Sequence, residues 1–129
     1  MNRQDLLLWH KMRTNGLDPN LKNRIVFNYK ETLMHFIIKC LVSRITYRNG
    51  YVFMTEAPVV VGEGVHYIDV LDCNNGIAYE VQNTIDRNVR TNKSVLYSAD
   101  IVRDVIIIDL KKVSSDVYVA NRQLEKIVV

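Results

Sequence analysis

The stretch HYIDVLDCNNGIAYEVQ, from His66 to Gln82, sets one acid inside each of two apolar runs. Asp69 interrupts the first run. Glu80, with Gln82 two residues on, interrupts the second. The intervening CNNG is a hairpin-turn sequence, because Asn and Gly accept the left-handed backbone angles such turns need. Two strands joined this way pair with each other, so Asp69 and Glu80 are expected side by side on one face of a sheet. Residues two apart on a strand share a face, which adds Gln82. Burying an ionised carboxylate is costly unless it is paired or bound to a metal. Three converging oxygen-bearing side chains suit a hard cation, Mg²⁺ or Mn²⁺, and not zinc. The competing reading is an antiparallel pair whose acids face solvent.

A second polar pattern precedes this one. In ETLMHFIIK, the residues Glu31, His35 and Lys39 stand four apart and so share one face of a helix. A solvated helix face would carry the same spacing. A third pattern, DRNVRTNKSVLY, places Arg87, Arg90 and Lys93 just after the second acid-bearing strand; a surface charge cluster is its competing reading. The remaining candidates read as structural. Glu56 and Glu63 flank the strand before Asp69, and Glu63 lies in the turn sequence VGEGV. Asp72 reads as a hairpin-turn acid. His10 and His66 have no partner spacing, which leaves them packing or surface roles.

The elements that must position these residues follow from periodicity and turn signals. Asp5 to Thr14 predicts a short helix stopped at Asn15-Gly16, and Pro19 marks a connection. Asn28 to Ile45 carries the broad apolar face of a long helix, including Leu33, Met34, Phe36, Ile37, Ile38, Leu41, Val42 and Ile45. YVFMTEAPVVV predicts a strand in which Pro58 favours a sheet edge. VHYIDVLD and IAYEVQ are the next two strands. Asn83 to about Ala99 reads as a loop and crossover helix. DVIIIDL is a fourth strand, whose unbroken apolar run predicts burial on both faces. SSDVYVANRQLEKIV is a closing helix capped by Ser or Asp. The order α, α, β, β, β, α, β, α predicts an α/β fold, a central mixed four-stranded sheet flanked by helices.

Bulk properties narrow the class. A chain of 129 residues fits one domain, with the N-terminal helix at about 2–15 and the core at about 28–129. At 48% hydrophobic residues it can fill a core, which argues against disorder. A net charge of +3 is compatible with nucleic acid without being diagnostic of it. Two cysteines, Cys40 and Cys73, without a CxxC pair argue against a disulfide scaffold or a zinc site and for a reducing compartment. The N-terminus mixes acids and bases and makes a poor signal peptide, and no apolar run reaches membrane-spanning length. The expectation is an intracellular, cytoplasmic protein (in a host cell if virally or mobile-element encoded) with no membrane partner.

Asp69 followed by YEVQ, with this element order, resembles the PD-(D/E)xK, or restriction endonuclease-like, nuclease superfamily. The resemblance covers about Asn28 to Leu110. It is nearest in motif to competence-associated nuclease-like proteins and compact junction-resolving nucleases. It implies the αβββαβ core and divalent-dependent hydrolysis of phosphodiester bonds in DNA, branched or structured DNA included. Asp69 and Glu80 would hold Mg²⁺ or Mn²⁺, with the Val81 carbonyl as a further ligand and Glu31 in support. Gln82 stands where the family usually has lysine and would orient the attacking water. Glu31, His35 and Lys39 resemble the polar stripe on the family's first core helix. His35, Lys39, Arg87, Arg90 and Lys93 would contact nucleic acid, and Lys93 could stand in for the absent motif lysine.

The departure at Gln82 keeps open a second reading: a catalytically inactive nuclease-fold protein that binds nucleic acid or serves as an accessory subunit of a larger complex. The apolar segments LLLWHKM and DVYVANRQLEKIVV favour a homodimer. The two acids, if close and without a metal, should repel, so that removing one would stabilise the fold.

Overall fold

The computed structural model describes residues 2–61, 63–83 and 101–129. The first helix, α1 (Arg3–Thr14), begins where the Asn2 side chain accepts the Asp5 N–H and ends at Asn15, with Gly16 at φ +75°. A 3-10 turn at Pro19–Leu21 follows. Helix α2 (Leu33–Arg48) is capped by Thr32, whose hydroxyl accepts the His35 N–H at 3.2 Å. The helix therefore starts five residues later than its apolar pattern predicts, and Glu31 lies just outside it. Strands β1 (Phe53–Val61), β2 (Gly64–Asp72), β3 (Ile77–Gln82) and β4 (Asp104–Asp109) are followed by a second 3-10 turn and by helix α3 (Val117–Glu125). Asp116 caps α3 through the Tyr118 and Val119 N–H groups. The expected crossover helix, with Arg87, Arg90 and Lys93, lies outside the described residues.

The strands form one mixed sheet in the order β1-β2-β3-β4. The first three make an antiparallel meander, and β4 runs parallel to β3. Pro58 is on the outer strand, where its missing N–H costs no interior ladder bond. The sheet separates two apolar layers. One contains Met12 and Leu17 with Met54, Ile68, Leu71, Ala78 and Ile101. The other contains Ile38, Val42 and Ile45 of α2 and Leu124 of α3 with Val70, Tyr79, Val81 and Ile108. The C-terminus is tied to this second layer, since the Val129 N–H donates to the Tyr79 hydroxyl at 3.1 Å.

Burial on both faces belongs to β3, where every residue from Ile77 to Val81 is buried. It does not belong to β4, as its apolar run predicts: β4 ends the sheet, and within it only Ile108 is fully buried. An unbroken Val-Ile run measures β preference, whereas position in the sheet decides coverage.

The β2–β3 connection is the four-residue loop Cys73–Gly76. Asp72 Oδ1 accepts the Asn74 and Asn75 N–H groups at 3.0 and 2.9 Å, and Oδ2 accepts the Asn75 amide at 2.8 Å. Asp72 is thus the turn acid expected. Gly76 is irreplaceable on two counts: its φ is +68°, and a Cβ there would lie 2.8 Å from the Ile101 carbonyl oxygen.

Candidate metal centre between β2 and β3

Strand alternation slips at one level of the sheet. In β2, Ile68 faces the α1 layer while Val70 faces the α2 layer, although two residues apart they should share a face. In β1 the ladder pairs Thr55 with Val70 and Ala57 with Ile68, leaving Glu56 and Asp69 unpaired between them. Glu56 adopts φ +50°, unusual for a side chain with a Cβ, as a bulge requires. The β2–β3 ladder also stops here, at Val70 opposite Tyr79. Past that point Asp69 replaces the strand backbone as the acceptor: its Oδ2 receives the Val81 N–H at 2.8 Å.

Asp69 consequently sits in the gap between diverging strands and is met from both sides. From the α2 side, His35 Nε2 lies 3.4 Å from Asp69 Oδ2. Glu80 lies close enough to Asp69 to act on its carboxyl. Tyr79 and Val81 face the α2 layer, so alternation turns Glu80 to the opposite face. There His66 Nε2 approaches Glu80 Oε1 at 3.0 Å. The two acids are in contact, as the hairpin predicts, but not on one face. Gln82 is half-buried and, two residues on, shares the face of Glu80.

The stripe that precedes the sheet is built as one network. Glu31 Oε2 meets His35 Nδ1 at 2.9 Å, and Glu31 Oε1 accepts both the Lys39 ammonium at 2.8 Å and the Asn28 N–H at 3.1 Å. The Lys39 ammonium also donates to the Val26 carbonyl at 2.7 Å and to Glu56 Oε1 at 3.3 Å. Lys39 is fully buried, and its three donors have three acceptors. The expectation that Lys39 meets phosphate is therefore corrected: the ammonium points inward and holds Glu31 and Glu56 in place. His35 is partly exposed, and with Asn28, Lys30, Glu31, Thr32, Asp69 and Asn83 it lines an open cleft of about 270 Å³.

Electrostatics follow from these contacts. The Asp69 hydrogen bond pushes the His35 imidazole above its ordinary range, with Glu31 adding to this and burial opposing it. An imidazole can donate to a carboxylate at each nitrogen only in its protonated form. Burial works to raise the Asp69 carboxyl, but His35, the Val81 N–H and Glu80 outweigh it and hold the group below its usual range. Glu31 is held low in the same way: burial raises it, while Lys39, the Asn28 N–H and His35 lower it further. Burial lifts Glu56, only partly offset by Lys39. The contacts of Asp69 with His35 and the Val81 N–H argue against a gain in stability on removing that acid.

Two participants escaped the sequence reading. The sequence alone presents Glu56 as an acid flanking a strand, and His66 as a packing or surface residue. His66 and Glu80 are fourteen residues apart, and Glu56 and Lys39 seventeen; no local spacing marks either pair. The one signal in the sequence is that His66 stands two residues before Ile68 on a strand beside an acid-bearing partner.

Four carboxylates, Glu31, Glu56, Asp69 and Glu80, face Lys39, His35 and His66. The acids outnumber the basic side chains four to three. Hard oxygen donors in negative excess fit Mg²⁺ or Mn²⁺, and Mg²⁺ commonly uses one or two carboxylates while keeping several waters. Among the described residues no group of three or more His, Cys, Asp or Glu side chains forms a ready cation cage. No protein-family model, curated protein or solved structure matches the chain. Among the described residues, no helix is long and apolar enough to cross a membrane.

Proposed function

We propose that this chain is a divalent-metal-dependent nuclease with a restriction endonuclease-like core, acting on DNA. The observation that carries the reading is the Asp69–Glu80 contact in the gap where β2 and β3 part, with the Val81 N–H donated to Asp69. A shared cation needs the two carboxylates in contact, not on a common face. The meander followed by a parallel β4 supports the same core.

Asp69 and Glu80 would hold Mg²⁺ or Mn²⁺, with the Val81 carbonyl as an additional ligand. The ion would supply charge for the phosphate and lower the pKa of a bound water. The chain's own residues do the rest. His35 and the Val81 N–H keep Asp69 ionised and aimed into the gap. Glu31 fixes the imidazole, and Lys39 fixes Glu31, so both are positioning residues. His35 is the cation that faces the cleft and can neutralise charge developing on a phosphate oxygen. Gln82, on the Glu80 side, would orient water by hydrogen bonding. Arg87, Arg90 and Lys93 would add phosphate contacts.

The second reading, a nuclease-fold protein that binds without cutting, is favoured by one observation: His35 and His66 already occupy the two acids a metal needs. Nicking of supercoiled plasmid and of branched DNA, with Mg²⁺, with Mn²⁺ and with chelator, separates the two. Divalent-dependent cleavage lost in Asp69→Asn supports the nuclease. No cleavage with either metal leaves the binding protein. Exposed Leu6, Leu7, Tyr118 and Val129 on the terminal segments would suit a homodimer, which sedimentation tests.

A further inference from the structure

The segment between Asn23 and Glu31 has no helix or strand of its own, yet it is tied down along its length. The Asn23 N–H donates to the Phe53 carbonyl at 2.7 Å, and the Phe53 N–H donates back to Asn23 Oδ1 at 3.1 Å. Thr55 Oγ1 accepts the Val26 N–H and donates to the Arg24 carbonyl, at 2.7 and 2.9 Å. The Val26 carbonyl takes the buried Lys39 ammonium. Asn28 and Glu31 exchange bonds, and Asn28 Oδ1 accepts the Lys30 N–H at 3.0 Å.

A segment so restrained has the means to turn its apolar side chains inward, and it does the reverse. Phe27 is 67% exposed and Tyr29 80%. Phe27 is held edge-on against Phe36, with ring centroids 5.6 Å apart, and the Lys30 ammonium lies 5.8 Å from the Tyr29 ring. Arg24 and Lys30 are exposed alongside. The residues alternating with the rings, Asn28 and Lys30, line the cleft that leads to His35 and Asp69. Exposed rings thus stand next in sequence to the residues that line the cleft of the carboxylate site.

We infer that Phe27 and Tyr29 stack the unpaired bases of a single-stranded nucleic-acid segment whose backbone passes Lys30 on its way to Asp69. The inference rests on the nuclease reading and narrows its substrate to nucleic acid that is unpaired beside the scissile phosphate. Every base offers a π face, so exposed rings with interleaved cations bind single strands with little sequence preference. A duplex hides those faces within its own stack. A second copy of the chain is the other occupant exposed rings suit, but Lys30 beside Tyr29 opposes it, since interface cores are depleted in lysine.

The test is fluorescence anisotropy of the full chain with labelled dT20, U20 and a 20-base-pair duplex, in chelator so that nothing is cut. The wild type should bind the single strands at least tenfold tighter than the duplex. Phe27→Ala and Tyr29→Ala should each weaken dT20 binding by about tenfold and leave duplex binding within twofold, with Tyr29→Trp retaining it. Lys30→Ala should lower the salt slope by about 0.7. A preference for dT20 or for U20 identifies the nucleic acid, and either supports the stacking site. Because both rings are exposed, the variants should fold, which circular dichroism checks. The inference is overturned if the wild type does not bind dT20, if both alanine variants bind it unchanged, or if duplex binding falls equally. It is also overturned if sedimentation shows a wild-type dimer that Phe27→Ala dissociates. Unchanged binding by the alanine variants together with metal-dependent cleavage lost in Asp69→Asn would sink the stacking site and keep the nuclease. Stacking without cleavage by any divalent metal would do the opposite.

Discussion

Asp69 and Asp72 lie three residues apart on the same strand, and both are largely removed from water, Asp72 completely. Their partners differ in kind. Asp72 is satisfied by groups two and three residues away, all in the turn it closes. Asp69 is satisfied by His35, Val81 and Glu80, brought from α2 and β3. An acid with local partners is complete once its turn forms, and it has no reason to face a ligand. An acid whose partners come from two other elements sits where those elements meet its own strand, and that place is open to a cleft. Burial alone therefore does not separate a structural acid from a candidate ligand; the sequence distance of the partners does.

The sharpest way to break this comparison is to neutralise each acid in turn. Asp69→Asn should reduce metal-dependent plasmid nicking by on the order of 10³-fold or more, whereas Asp72→Asn should leave the rate per folded molecule within about twofold. Equal losses in the two variants would show that the turn acid also takes part in the site.

Stability should respond to the network behind Asp69 more than to the turn. Lys39→Met strands Glu31 beside His35 with its main cation gone, and breaking a buried pair this way costs about 3–5 kcal/mol. Denaturant unfolding measures this, and Lys39→Met combined with Glu31→Gln should recover part of the loss. A cost under about 1 kcal/mol for the single variant would mean the network is no more than surface charge. Asp72→Ala leaves turn N–H groups without their acceptor and should cost about 1–3 kcal/mol.

The groups around Asp69 give the stability a pH dependence. The raised His35 contributes stability that is complete below its ordinary value of 6.5 and is lost as pH climbs through its higher folded value. Glu56, raised by burial, contributes with the same sign, complete below 4.5. Asp69 and Glu31 are lowered, so their contributions are complete above 3.8 and 4.5 and disappear as pH falls through their lower folded values. Melting temperature should therefore be highest in the weakly acidic range and fall on both sides. His35→Asn should flatten the alkaline limb, and a variant that keeps that limb intact would contradict the assignment. The smallest effect concerns Gln82. Gln82→Lys should keep nicking activity within a few-fold or raise it, and a complete loss would show that the glutamine amide has a role lysine cannot fill.

Much of the fold is legible in the residues themselves. The strand sequences of the meander, the Asn-Gly hairpin, the polar closing cap at Asp116 and the stop at Asn15-Gly16 depend on contacts within a few residues, so local pattern suffices to place them. Legible too are the contact between Asp69 and Glu80, which follows from a hairpin's pairing, and the Glu31–His35–Lys39 stripe, which follows from helical spacing even though Glu31 stands just before the helix. What the tertiary structure alone decided is everything that depends on how layers meet. The bulge at Glu56 and the slip at Asp69 set which face each acid takes, and a one-residue change of phase reverses a side chain without altering the apolar pattern. His66 and Glu56 join the site through pairings across the sheet and onto α2 that no spacing encodes. Lys39 faces inward because the Val26 carbonyl, Glu31 and Glu56 surround it, and β3 is enclosed where β4 is not because sheet order assigns the edges. Local chemistry chose the elements; the energy of satisfying buried charge, available only when those elements are assembled, chose what each acid faces.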